Sequence, residues 1–383
     1  MRDDALLTSA TLLDVQQLEY HGRILSKSNG AGKDGIACRF DMNHCILVDG
    51  DAQPVDAQDG ETILDALLRN GVGFPYSCQA GNCGSCKCEW VSGEIFELEY
   101  SEHALSPAER ARGLVLACRT QVWGDVRVRR LDAEEFVMHP SRVMQCRVSA
   151  LEALTHDVLR LRVEIESGGP FTFSAGQYAK LQFAFAPDAP RDYSMANAPF
   201  EPGLEFHVRV MPGGVSGQIR DRLRLGDAVR VSGPFGTSYL RERQAGAVLA
   251  VAGGTGLAPI RSIVRAALHA GMRDPIHLYL GVREERDVYG EAELCAWQGD
   301  HPNLRVHVVL SAGKAGARRR SGMVADAVGK DFSDLTGFQA YLAGPPAMVD
   351  ATAQVLRARG VAARDVHADA FYGAASPQPV DAL

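Results

Sequence analysis

Four cysteines form the densest group of reactive side chains in this 383-residue chain. Cys78, Cys83 and Cys86 are spaced C-x4-C-x2-C inside PYSCQAGNCGSCKC, and Cys118 follows in LACRT. Four thiolates with this spacing suit a [2Fe–2S] cluster. Gly81, Gly84 and the small Ser85 let the loop fold tightly and aim N–H groups at the cluster sulfurs. The other use for such ligands is a structural zinc site, which ordinarily takes two paired knuckles and not a triplet plus a single. Cys88 is read as a packing residue. Cys38, Cys45, Cys146 and Cys295 stand alone and read as buried thiols. No Cys-x-His pair is present, so the chain holds no Rieske centre of its own.

Two glycine-rich turns could receive phosphate. VLAVAGGTGLAPI places Gly254-x-Gly256-x-x-Pro259 between a strand and a helix, where Thr255 and Gly256 would let a dinucleotide approach the helix start. MPGGVS sets Gly213 and Gly214 ahead of another helix. A plain tight turn accounts for either motif equally well when it is read alone. Arg191-Asp192-Tyr193-Ser194 offers a cation, an aromatic face and a hydroxyl in four residues. His156, His269 and His301 are single histidines with no catalytic partner in sequence. The run Ala317-Arg318-Arg319-Arg320 suits either a solvated loop or a dock for an acidic partner.

Three segments must position these groups. From His44, HCILVDG and AQPVDAQ predict two strands about Asp49-Gly50, and GETILDALLRNG predicts a helix with Ile63, Leu64, Leu67 and Leu68 on one face. Short runs from about residue 142 to 240, such as VLRLRVEIE and LEFHVRVM, predict an antiparallel barrel or sandwich. From Ala247 onward, strands alternate with helices, the pattern of a parallel sheet with crossover helices. The segments are 1–40 (an extension with no inferred function), 41–132, 142–242 and 245–383. Hydrophobic residues at 46% and charged residues at 23% exclude a disordered chain, and no apolar run is long enough for a membrane helix. The net charge of −7 argues against nucleic acid as a partner. The acidic start MRDDALL resembles neither a secretory signal nor a transit peptide, which makes the cytoplasm the expected location. Residues 41–131 carry 8 Lys and Arg against 14 Asp and Glu, so the acidity gathers around the cysteines.

With LACRT, the motif PYSCQAGNCGSCKC resembles the plant-type ferredoxin module of bacterial oxygenase reductases. Arg191-x-Tyr193-Ser194 resembles the flavin motif of the ferredoxin–NADP reductase superfamily. HPSRV, TFSAGQYAKLQF, GGTGLAP and HADAFY look close to the reductase components of Rieske aromatic-ring-hydroxylating dioxygenases, of the naphthalene dioxygenase type. The resemblance covers about residues 42–375. It implies a multidomain α+β and α/β fold: a β-grasp ferredoxin, an antiparallel β-barrel flavin domain and a Rossmann-like nicotinamide domain. Cys78, Cys83, Cys86 and Cys118 would hold the cluster. Arg191 would pair with the FAD pyrophosphate, Tyr193 would stack on the isoalloxazine, and Ser194 would sit at its reactive N5. Val208, Arg209, Gly213, Gly214 and Ser216 belong to the second flavin element, with Ser216 one residue earlier than the usual hydroxyl.

For the nicotinamide dinucleotide, the resemblance assigns Thr255, Gly256, Gly281, Val282 and Arg283, with Gly344, Pro345 and Met348 near the nicotinamide and Ala343 where many relatives have Cys. Glu284 and Glu285 would repel a 2′-phosphate, which favours NADH over NADPH. Phe371 would cover the flavin ring and Asp369 would hydrogen-bond beside it. Electrons would pass from NADH to FAD, to the cluster, and on to a Rieske ferredoxin or a terminal oxygenase component. Reductases of di-iron monooxygenases and of deoxysugar dehydratase systems share this architecture. An electron-storage or redox-sensing protein would need neither the flavin nor the nicotinamide motif.

Overall fold

The computed structural model describes residues 24–27 (backbone only), 44–51, 53–76, 79–81, 84–102, 104–131, 137, 139–242, 246–312 and 319–371. In the first unit, β1 (Ile24–Lys27) pairs antiparallel with β4 (Lys87–Glu97). Part of the stretch read as a featureless extension therefore adds a strand to the sheet. β2 (His44–Val48) and β3 (Val55–Ala57) are antiparallel as expected, and Gly50 takes φ +93° in the turn between them.

The helix α1 (Ile63–Arg69) starts where the Thr62 hydroxyl accepts from the Asp65 amide, and it buries Ile63, Leu64, Ala66 and Leu67. A capping box between Ser106 and Glu109 opens α2 (Pro107–Ala111). β5 (Leu114–Leu116), β6 (Thr120–Val122) and β7 (Val126–Arg130) complete a sheet of order β1-β4-β7-β2-β3, with β5 and β6 on β4. β2 and β7 run parallel while the other pairings are antiparallel, the β-grasp arrangement.

The second unit is antiparallel throughout. It contains β8 (Arg142–Ala153), β9 (Val158–Ser167), β10 (Tyr178–Phe183), β11 (Ala186–Ser194), β12 (Leu204–Arg209), α3 (Val215–Arg222) and β13 (Ala228–Phe235). The order β11-β10-β13-β8-β9-β12 closes into a barrel through a bridge between Met195 and Phe206. Alternating residues such as Met144, Cys146 and Val148 fill its core.

In the third unit β14 (Val248–Gly253), α4 (Leu257–His269), β15 (Ile276–Val282), α5 (Glu291–Asp300) and β16 (Leu304–Leu310) alternate. β17 (Arg320–Ser321), α6 (Val324–Asp331), β18 (Gln339–Gly344), α7 (Pro346–Ala358) and β19 (Val366–Ala370) follow. All pairs are parallel, in the order β17-β16-β15-β14-β18-β19. The chain leaves β14 toward β15 on one side and finds β18 on the other. A crevice therefore opens between β14 and β18 at their C-terminal ends, where open α/β sheets bind ligands.

α4 fastens this unit to the barrel. Arg261 donates to the Ala196 carbonyl at 2.6 Å and Ser262 to the Asn197 carbonyl at 2.7 Å. His269 stacks on Phe200 with ring centres 3.8 Å apart, so it is a packing residue. No helix among the described residues is long and apolar enough to cross a membrane.

Candidate redox site

Cys86 and Cys118 are buried, and their sulfurs lie 3.2 Å apart across the base of the cysteine loop. Neither is disulfide-bonded. Gly81 and Gly84 both take positive φ, at +76° and +72°. A Cβ on Gly84 would come within 2.7 Å of the Ala104 carbonyl, so the loop is closed down in a way only glycine permits. Two close, buried thiols beside a glycine-shaped loop fit two of the four ligands of a [2Fe–2S] cluster. Cys78 and Cys83 lie outside the described residues. Cys88 is fully buried on β4, and burial pushes its thiol up to about 12, which suits the packing role. Cys45 differs from expectation: it is disulfide-bonded and not a free thiol.

The flavin motif sits at the end of β11. Arg191 is exposed and donates to the Pro190 carbonyl, and Tyr193 is half-buried, with burial raising its phenol to about 12. Gly213 takes φ +75° and Gly214 caps α3 without any side-chain hydrogen bond, which leaves the first amides of that helix to an anion. Ser216 is engaged within its own loop, which it shapes by accepting from the Met211 amide at 2.9 Å. Val208 is fully buried in the barrel core. An exposed guanidinium, an aromatic face and an uncapped helix start on one barrel fit the phosphates and ring of FAD.

A cavity of about 320 Å³ opens at the C-terminal ends of β14 and β15. Gly253, Gly254, Thr255, Gly281, Val282, Arg283, Pro345 and Met348 line it, which brings together the residues expected to bind the dinucleotide. Gly256 lies beneath, buried, where a Cβ would overlap the Ala343 carbonyl. Gly344 takes φ +139°, and a Cβ there would reach the Gly253 carbonyl at 2.7 Å. These glycines let the two strand ends meet, and the crevice follows from that approach. The cavity and its uncapped turn fit a nicotinamide dinucleotide.

Ser194 and Asp369 meet across 175 residues: the Ser194 hydroxyl donates to the Asp369 carboxylate at 3.3 Å in a buried setting. Burial raises the Asp369 carboxyl to about 6, against the lowering effect of that hydrogen bond. Phe371 follows, anchored by its amide to the Gly344 carbonyl at 2.8 Å and packed on the core of the third unit. The three residues assigned to the hydride-transfer centre thus lie on one short stretch of β11 and the end of β19.

Several residues have contacts that their sequence neighbours do not imply. Arg209, expected among the flavin residues, lines the dinucleotide cavity and pairs with Asp157 at 3.2 Å. Glu284 and Glu285 do not line the cavity: Glu284 pairs with Arg286, and Glu285 accepts from Arg319, which holds its carboxyl below the usual range. The carboxylates that line it are Asp157 and Asp287. Arg319 also pairs with Glu291, and Arg320 with Asp331, so the described part of the basic run is engaged inside the molecule. Arg318 lies outside the described residues. Sequence reasoning also missed a buried relay beneath the cavity. Tyr289 stands 3.2 Å from His207 and 3.4 Å from the Gly254 carbonyl, and His207 leans on Glu205. No motif marks Tyr289 and His207 as partners, because that contact joins separate units.

Residues 46–122 match the 2Fe-2S iron-sulfur cluster binding domain, 145–254 the oxidoreductase FAD-binding domain, and 250–354 the oxidoreductase NAD-binding domain. The chain is similar to the ferredoxin–NAD(P)+ reductase component of the naphthalene 1,2-dioxygenase/salicylate 5-hydroxylase systems of Ralstonia sp., at 44% identity over 83% of this chain and 95% of that one. It is 41% identical to the naphthalene 1,2-dioxygenase system reductase component of Pseudomonas putida, over 85% and 98%. Among solved structures, the cytochrome P450 reductase GcoB of Amycolatopsis superimposes with a TM-score of 0.71 at 36% identity, over 86% and 98%.

Proposed function

The chain belongs to the family of flavin- and iron–sulfur-containing reductase components of oxygenase systems, and from that membership we propose that it delivers electrons from NADH to a Rieske ferredoxin or terminal oxygenase of aromatic-compound degradation. When bound, FAD accepts an electron pair as hydride and releases the electrons singly, which is what a cluster that takes one at a time requires. The chain's own residues supply the rest. The cavity at the C-terminal ends of β14 and β15 seats the dinucleotide, Arg209 and Arg283 offer cations along it, and Phe371, two residues after Asp369 of the Ser194–Asp369 pair, packs on the core of the third unit. That buried pair carries the reading, because it brings the flavin motif and the last described strand, β19, to one point.

The aromatic dioxygenase setting draws support from identity: 44% with the naphthalene-type component against 34% with a phenol 2-monooxygenase reductase component. The first unit adds support for a partner with a basic face. Its Arg69, Lys87, Arg110, Arg127, Arg129 and Arg130 are paired with carboxylates. Exposed Glu99 and Glu102 remain near the cysteine loop, where Tyr100 packs against Gly81. Arg119 also lies there and donates to the Glu99 carbonyl, so the field that steers association comes from the unit's overall excess of 14 carboxylates over 8 cations.

The test is reduction of two acceptors with NADH. Ferricyanide takes electrons from flavin, and cytochrome c takes them from the cluster. Cys118→Ser is expected to abolish cytochrome c reduction and spare ferricyanide reduction. Equal loss of both would refute the electron order, and a wild-type protein whose chromophores NADH fails to bleach would refute the reductase reading itself.

A further inference from the structure

An aromatic pair bridges the ferredoxin unit and the barrel. Tyr76 stands two residues before Cys78 and is buried in the same core as Cys86 and Cys118. Phe235 ends β13 of the barrel, yet it packs against that ferredoxin core. The Tyr76 and Phe235 ring centres are 6.3 Å apart, and those of Phe235 and Tyr178 are 5.7 Å apart. Both spacings lie within the range of attractive tilted aromatic pairs. Tyr178 is the register partner of Phe235 on one side and of Ser194 on the other. A continuous chain of rings therefore runs from the cysteine loop to the strand pair that carries Ser194. The neighbouring backbone is cut to fit: a Cβ on Gly236 would stand 3.0 Å from the Tyr178 ring.

We propose that Tyr76, Phe235 and Tyr178 are positioning residues that lock the cysteine loop at a fixed separation from the flavin side of the barrel, and so set how fast electrons cross between the two units. The proposal rests on the electron order given above. Across this contact no bond forms or breaks: the reduced flavin is oxidised by one electron for each ferric ion of the cluster that becomes ferrous. Close-packed interiors transmit small displacements, and the rings leave little room for sliding. A misplacement of about 1 Å at a reacting pair can cost roughly 100-fold in rate.

The experiment is anaerobic rapid mixing of the full, reconstituted protein with NADH, with flavin and cluster bleaching followed separately. Hydrogen exchange of the metal- and flavin-free chain gives a second readout at residues 72–76 and 233–236. Phe235→Ala is expected to keep flavin bleaching and ferricyanide reduction within about twofold, to slow cluster bleaching by about tenfold or more, and to raise exchange in both segments. Phe235→Leu, which keeps most of the apolar volume, is expected to restore cluster bleaching most of the way and also serves if the alanine variant loses its cluster. Raised exchange with unchanged cluster bleaching would overturn the proposal, since the contact would then be structural only. Wild-type protein that bleaches flavin but never the cluster would sink the underlying electron order and not this contact.

Discussion

Asp369→Asn tests whether the carboxylate beside Ser194 is held out of its comfortable protonation state. An aspartate in water titrates near 3.9, and burial raises this one to about 6. The rise of roughly two pH units is worth about 3 kcal/mol. Below about pH 4 the side chain is neutral in the folded and unfolded chains, and it costs nothing. Between about pH 4 and 6 the unfolded chain has lost the proton that the folded chain keeps, so stability falls as pH rises. Above about pH 6 the full cost is present. Asparagine keeps an oxygen for the Ser194 hydroxyl and cannot ionise. The stability of the variant relative to wild type is therefore expected to rise by about 3 kcal/mol between about pH 4 and pH 7. Urea unfolding of the flavin-free chain, read by the buried Trp297 of the third unit, measures the difference. The same group governs chemistry: flavin bleaching by NADH is expected to show an inflection near pH 6 in wild type and none in the variant. Parallel stability curves for the two proteins would refute the reasoning, because the carboxyl would then have an ordinary affinity for its proton.

Other substitutions probe the dinucleotide crevice and the seams. Gly256→Ala drives a Cβ into the Ala343 carbonyl, and NADH binding is expected to be lost with a stability cost of about 1–3 kcal/mol; calorimetric titration and thermal unfolding check this. Arg209→Ala is expected to raise the KM for NADH by about tenfold while the protein retains its full flavin content, in keeping with one lost charge-assisted hydrogen bond. A drop in flavin content would return Arg209 to the flavin site. Arg261→Ala removes the bidentate pair with Glu293 and the bond to the Ala196 carbonyl, and is expected to cost about 2–4 kcal/mol and to speed proteolysis between barrel and third unit.

The local sequence carried the parts of the site that one segment can build. A cysteine triplet is a property of one loop, and a glycine turn is a property of one strand–helix junction. Each therefore showed in the residue pattern, and α1 and the β2–β3 hairpin showed for the same reason. What joins the segments left no such mark. Arg209 reads as part of a flavin strand because it stands next to Val208, yet strand alternation turns the two side chains to opposite faces. Val208 enters the barrel core, and Arg209 reaches the cavity of the next unit. Glu284 and Glu285 occupy the expected loop, but Arg319 and Arg286 claim them and leave Asp287 for the cavity.

The same logic explains why Phe235 looks like an ordinary strand end. Nothing within β13 says that its ring belongs to another unit's core, and only the folded arrangement puts it against Tyr76. Electron transfer through three modules demands fixed gaps between cofactors that no single module can set. The residues that set them must then be those whose partners are distant in sequence: Ser194 with Asp369, Arg261 with Ala196, Phe235 with Tyr76. Motifs identify what each module binds, and the seams between the modules are built by residues whose partners lie far away in sequence.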